Sequence, residues 1–256
     1  MPRNDIRQLN GPLPPLLRLH PAVSIRIVAG LVHDATLEQR IAAIWQSEKT
    51  LRGERLFDGR AFGLLSAHAA ELVLVPLRYR DVVAWRADPN LKVGGLIPPP
   101  LGVSGVLMLD SGVVFGRRAS HVAAHAGAWE AAPAGVLAMP DPCAQVLEEL
   151  AEELGLDADA VAAPALCGVI CGSSSAELVL RLRSRLSTQD VLAAWRRGGT
   201  DEYEALEIVA SDQLSDFVQD GRRPLVPGLA AILDLAGINP IPLAGQRVRG
   251  AGHTLL

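Results

Sequence analysis

Apolar and polar residues alternate through Val23–Ala29 (V-S-I-R-I-V), the period of a half-buried strand. The period then changes. From Thr36, a residue able to cap a helix, Leu37, Ile41, Ile44 and Trp45 recur on one face as far as about Lys49. Phe62–His68 and Glu71–Leu77 return to strand character, and Asp81–Ala87 predicts a short helix. Pro98-Pro99-Pro100, within Gly94–Gly102, marks a boundary. Beyond it, Val103–Leu109 and Val113–Arg117 flank Asp110-Ser111-Gly112, a hairpin signal. Residues 119–142 read as a long Ala/Gly/Pro-rich loop. Pro142 opens a helix over Ala144–Leu154, which Gly155 closes. Strands at Ala165–Ile170 and Ala176–Leu182 follow, joined by a turn at Gly172–Ser175. A helix over Thr188–Arg197, a strand over Ala205–Val209, a helix capped by Ser211 or Asp212, and a last helix over Leu225–Leu235 complete the pattern. Pro12, Pro14 and Pro15 make the first 20 residues an irregular arm.

Helices and strands do not alternate regularly, so the expectation is α+β: an α/β/α sandwich on a mixed sheet rather than a doubly wound one. Three parts are expected, namely a smaller N-terminal α/β region over 1–99 packed on the core, a core domain over 100–240, and a tail over 241–256. With 49% hydrophobic and 20% charged residues in a chain of 256, there is ample material for a core, and a disordered chain is excluded. The 24 basic residues face 28 acidic ones, a net charge of −4, which disfavours nucleic acid as a partner. Only Lys49 and Lys92 among the basic residues are lysines. Cys143, Cys167 and Cys171 form neither a metal-ligand pattern nor a disulfide framework. No apolar run suits a membrane helix or a signal peptide, so a cytoplasmic protein without a membrane partner is expected.

The chemistry concentrates in Gln145–Leu156, Q-V-L-E-E-L-A-E-E-L-G-L. Leu147, Leu150, Ala151 and Leu154 share one face of this helix. Glu149, Glu152 and Glu153 cluster on another, because residues three and four apart are neighbours. Like charges at that spacing cost roughly a few tenths of a kcal/mol each unless something compensates them. A divalent cation can do so, since Mg²⁺ is held by carboxylates together with phosphate oxygens. By contrast, His121 and His125 lie where the intervening V-A-A and Gly127 indicate a loop, with no third ligand near, and Gly172-Ser173-Ser174-Ser175 lacks the lysine of a phosphate-cradling loop.

E-E-L-A-E-E-L-G-L resembles the second half of the Nudix box, G-x5-E-x7-R-E-U-x-E-E-x-G-U with U aliphatic. Anchored on Gly155, the core glutamates fall on Glu149, Glu152 and Glu153, and Leu150 and Leu156 take the aliphatic places. Pro133-Ala134-Gly135 stands where such proteins carry a Pro-Gly-Gly turn. The chain departs from the box at Glu148 (arginine in the motif), Ala134 (glycine) and Pro140 (glutamate). A longer series resembles the divergent subfamily of the animal UDP-glucose and UDP-galactose pyrophosphatase. It comprises A-I-W (43–45), L-F-D (56–58), Leu65-Ser66-Ala67, Y-R-D (79–81), P-L-G-V (100–103), V-F-G-R-R (114–118), S-A-E (175–177), G-G (198–199) with Glu204, and P-G-L-A-A-I (227–232).

The resemblance implies a Nudix-type sandwich behind a smaller N-terminal region, and hydrolysis of a nucleoside diphosphate sugar, UDP-glucose or UDP-galactose, to UMP and sugar 1-phosphate. It implies Mg²⁺, with Mn²⁺ as a substitute, on Glu149, Glu152 and Glu153. Glu152 or a loop glutamate, Glu204 or Glu177, would polarise water. Arg117 or Arg118 would hold a phosphate oxygen; strand alternation lets only one face the cleft and leaves open which. Gly135 and Glu177 would line the substrate, and Phe57 and Tyr79 are the candidates for the base pocket. The partner would be a small nucleotide, and the protein a monomer or homodimer. The departures at Glu148, Ala134 and Pro140 also fit a binding module that keeps the scaffold without catalysis, and a Nudix hydrolase for another diphosphate, such as ADP-ribose or coenzyme A, is a third reading.

Overall fold

The hairpin signalled by Asp110-Ser111-Gly112 forms the spine of the main sheet, as strands β5 (Leu101–Leu109) and β6 (Gly112–Arg118). The computed structural model describes residues 13–53, 56–88, 90–91, 97–172 and 175–239. Ahead of the spine lie β1 (Leu16–Arg18), β2 (Ser24–Ile27), α1 (Ala35–Arg52), β3 (Arg60–His68), β4 (Glu71–Arg78) and α2 (Tyr79–Ala87). After it come β7 (Trp129–Ala131), β8 (Ala134–Val136), α3 (Pro142–Leu154), β9 (Ala165–Cys171), β10 (Ala176–Arg183), α4 (Thr188–Gly198), β11 (Tyr203–Val209), α5 (Leu214–Gln219) and α6 (Leu229–Leu235).

The main sheet runs β1-β9-β10-β5-β6-β11, with β7 added to β6 and β8 to β5. It is mixed, as expected: β10 is parallel to β5, and the other pairs are antiparallel. Alternation along the strands sends side chains to two cores. Val103, Leu107, Leu178, Leu180 and Leu182 pack with Val146, Leu150 and Leu154 of α3 and Val191 and Ala194 of α4. On the opposite face Val106, Phe115 and Val179 pack with Leu214 and Phe217 of α5 and Leu229, Ile232 and Leu233 of α6. Helices therefore cover both faces, the α/β/α sandwich anticipated.

A second sheet, β2-β4-β3, carries α1 and α2 on a core of its own. Its other side merges with the main core, where Phe62, Leu64, Leu72 and Leu74 join Leu101 and Val103. Backbone bonds from Phe62 to the Leu137 carbonyl (3.0 Å) and from Leu64 to the Pro99 carbonyl (3.0 Å) close the seam.

Several local expectations change. The arm contains β1, which extends the main sheet by pairing with β9 across the expected 99/100 boundary. The long loop contains β7 and β8, too short to show a periodicity. Asp34, not Thr36, caps α1, accepting from the Leu37 amide at 2.8 Å. The last two helices begin later than their patterns suggest, after Gln213 and Gly228. The turn residues Ser173 and Ser174, the boundary residues 94–96 and the tail 241–256 lie outside the described residues. No helix among those described is long and apolar enough to cross a membrane.

Candidate active site

α3 begins at a strong stop. Asp141 caps it by accepting from the Cys143 amide at 2.8 Å, and Pro142 occupies the first turn, where its missing N–H costs nothing. It ends at Gly155, whose φ of 63° and ψ of 28° place it in the left-handed region that suits glycine. Between these stops Val146, Leu150 and Leu154 are fully buried, and the glutamates follow from that anchoring. Glu153 turns inward at 2% exposure. Glu149 is half-buried, while Glu148 and Glu152 are exposed.

Each inward carboxylate sits in a prepared place. Glu149 lies over Gly135 of β8, so closely that a Cβ there would stand 2.0 Å from its Oε1. Gln145, itself buried, accepts from the amides of Ala138 (2.9 Å) and Met139 (3.0 Å) and donates to Glu149 Oε1 at 2.9 Å. Glu153 Oε2 accepts from the Ala134 amide at 2.9 Å, whereas its Oε1 is buried with no hydrogen-bond partner among the described residues. Burial, then Glu152, Glu202 and Glu148, push the Glu149 carboxyl up to about 7 against the pull of Gln145. Burial, with Glu130, Glu149 and Glu202 adding to it, holds Glu153 well above the usual range.

A second cluster adjoins them. Arg118 reaches inward from β6 and pairs through Nη1 with Glu130 of β7. Tyr203 of β11 donates to the same Glu130 oxygen at 3.1 Å. Burial outweighs Arg118 and lifts Glu130 to about 7, and burial with Glu130 and Glu153 raises Tyr203 well above its ordinary value.

Among the sequence candidates, the structure therefore brings together Glu149, Glu153, Gly135 and Arg118. Arg117 points the other way, to an exposed pair with Glu204 (2.9 Å) and to the Trp129 ring. Glu204 is the extra residue of a β-bulge, since Tyr203 faces Arg118 and Ala205 faces Arg117. Glu177 stands in register with Gly102 of β5 and fills the space of the missing Cβ, 2.2 Å from its Oε2. Alternation turns it away from the strand face that α3 covers. Burial raises its pKa against the Ser175 hydroxyl (2.6 Å), Arg86 and Ser104. Phe57 is 79% exposed, and Tyr79 packs at the edge of the N-terminal core.

Sequence reasoning missed Glu130, Tyr203, Glu202, Gln145 and Arg86. The available signal for Glu130 was a single acid inside the apolar run A-W-E-A-A-P. Among the described residues Arg86, exposed on α2, has no hydrogen bond or ion pair, yet its charge acts on both Glu177 and His125.

The donor set, hard carboxylates with one buried oxygen left free, suits a divalent cation. Among the described residues, however, no three His, Cys, Asp or Glu side chains are gathered closely enough to hold one as they stand. No protein-family model matches the chain, and no curated protein does. Solved structures with similar backbones include a protein from Deinococcus radiodurans (16% identity, TM-score 0.42, covering 52% of this chain and 80% of that one). Others are a Nudix hydrolase from Nitrosomonas europaea (18%, 0.39, 57% and 93%) and an ADP-ribose pyrophosphatase from Streptococcus suis (14%, 0.35, 56% and 90%).

Proposed function

We propose that the chain is a Nudix-type hydrolase that cleaves the diphosphate of a nucleoside diphosphate compound, with a UDP-hexose as the favoured substrate. One observation carries the reading: acids of the box-like helix are buried in prepared places with a carboxylate oxygen left unpartnered. Such a group is costly unless a cation completes it. Glu149 and Glu153 would hold Mg²⁺ or Mn²⁺, with exposed Glu152 free to join them. When bound, the ion neutralises diphosphate charge and lowers the pKa of a water.

The chain's own residues supply the rest. Gln145 and the Ala134 amide orient the two inward acids. Arg117 and Arg118 are each already paired with a glutamate, so Arg86 is the better candidate for a substrate oxygen. Glu177, within reach of that charge and with a raised pKa, is suited to accept a proton from water. Glu204 can act only after leaving Arg117. The UDP-hexose preference rests on the long sequence resemblance alone.

Phosphorus NMR of the full chain with UDP-glucose, UDP-galactose and ADP-ribose, each with Mg²⁺, tests the reading. A nucleoside monophosphate and a sugar phosphate should appear, fastest with the UDP-hexoses. Binding without cleavage would favour the non-catalytic module, which the glutamate at position 148 also suits. Faster cleavage of ADP-ribose would reassign the substrate.

A further inference from the structure

Gln145 is buried in α3 at 3% exposure, and its amide is fully engaged. Its Oε1 accepts from the Ala138 amide at 2.9 Å and the Met139 amide at 3.0 Å. Its Nε2 donates to Glu149 Oε1 at 2.9 Å and to Glu148 Oε2 at 3.3 Å. Backbone amides can only donate, so the side-chain oxygen must face them and the nitrogen must face the acids. The loop that supplies those amides is itself fixed. Leu137 donates to the Leu101 carbonyl at 2.9 Å, and its own carbonyl accepts from the Phe62 amide at 3.0 Å. The Glu149 carboxylate lies against Gly135, where a Cβ would come within 2.0 Å of Oε1 and 2.6 Å of Oε2. Oε1 is thus held by Gln145 and backed by the β8 backbone, while Oε2 has no hydrogen-bond partner among the described residues. Glu153 repeats the arrangement. The Ala134 amide holds its Oε2 at 2.9 Å, and its Oε1 is the oxygen left over among the described residues.

We propose that Gln145 is a positioning residue that selects the cation: by holding Glu149 Oε1 it limits that acid to a one-oxygen contact, which suits Mg²⁺ or Mn²⁺ and handicaps Ca²⁺. The inference rests on the metal-site reading above and deepens it. Mg²⁺ takes an octahedral shell of one or two carboxylates and several waters, and Mn²⁺ accepts the same oxygen shell. Ca²⁺ takes about six to eight oxygens and gains them from carboxylates that bind through both atoms. Glu149 cannot turn Oε1 to an ion without leaving Gln145. Glu153 is held in the same way by a backbone amide, so Gln145 is the side chain through which the choice of cation can be altered.

The test is the ratio of Mn²⁺ to Ca²⁺ affinity on the full chain without substrate. Electron paramagnetic resonance measures Mn²⁺ binding, and competition gives Ca²⁺. Gln145→Met keeps the length of the side chain and loses its donors. It should weaken Mn²⁺ about tenfold, the scale of a lost outer-shell partner, while Ca²⁺ affinity holds or rises, so the ratio falls about tenfold or more. A merely structural role weakens both ions alike and leaves the ratio unchanged. A second measurement needs no variant. With one equivalent of Mg²⁺, and again with Ca²⁺, the infrared difference spectrum of the wild-type chain should show carboxylate stretches split as in one-oxygen contacts. If Gln145→Met does not fold, that spectrum decides. Wild-type protein that binds no Mn²⁺ overturns the metal-site reading and this inference together. Wild-type binding of Mn²⁺ with a ratio that Gln145→Met leaves unchanged, or with the splitting of two-oxygen contacts, overturns the inference alone.

Discussion

The N-terminal sheet region and the face of α3 treat charge in opposite ways. In the former, acids and bases meet: Arg40 with Asp88, Arg78 with Asp58, Arg80 with Glu38 at 2.7 Å and His33 with Asp81 at 3.2 Å. Even its cavity of about 440 Å³, lined by His33, Glu38, Arg78, Arg80 and Asp81, has its charges paired among themselves or with Asp58. Along α3, Glu148, Glu149, Glu152 and Glu153 gather with Glu202, and the inward cation Arg118 is already taken by Glu130. Closed pairs stabilise a fold. Acids kept together without a partner destabilise it, and such violations concentrate at functional sites.

Breaking the comparison should have its largest effect at the uncompensated acids. Glu153→Gln should lower the turnover of a nucleotide sugar by at least about 100-fold with the fold intact, since an electrostatic group aimed at developing charge is worth that much. Steady-state kinetics with circular dichroism checks both halves. Gly135→Ala comes next. Its Cβ would displace the end of a flexible Glu149 side chain rather than backbone, so the melting temperature should hold while Mg²⁺ affinity and rate fall, as calorimetry and kinetics would show.

The pH dependence sharpens the contrast. Glu149 binds its proton up to about pH 7 in the folded chain, but the unfolded chain releases it near 4.5. The folded state holds more protons across that window, so stability should fall as pH rises from about 4.5 to 7. Saturating Mg²⁺ should flatten that fall in denaturant titrations, and Glu149→Gln should reduce it. The smallest effect belongs to the N-terminal pairs. Arg40→Ala removes a partly exposed partner and should cost only about 0–1 kcal/mol in urea unfolding, with turnover unchanged.

The contrast was only half legible in the sequence. Helix α3 announced itself through its apolar period, Pro142 and Gly155, and its glutamates through their spacing. Gly135 was legible through the turn that precedes the box. Which of Arg117 and Arg118 faces inward depends on the register of β6 against β11, including the bulge at Glu204, and no local pattern encodes that. Glu130 and Tyr203 come from separate strands that only the closed sheet brings near α3, and Glu177 comes from a third strand whose alternation turns it to the other face. The three residues of β7 and of β8 are too few for a period to show.

Anomalous diffraction from a crystal of the full chain soaked in Mn²⁺ tests the central claim most directly. The account predicts a peak bounded by the carboxylates of Glu149 and Glu153, lost in Glu153→Gln. A crystal with Mn²⁺ bound only elsewhere, or with none at these acids in millimolar Mn²⁺, would contradict it.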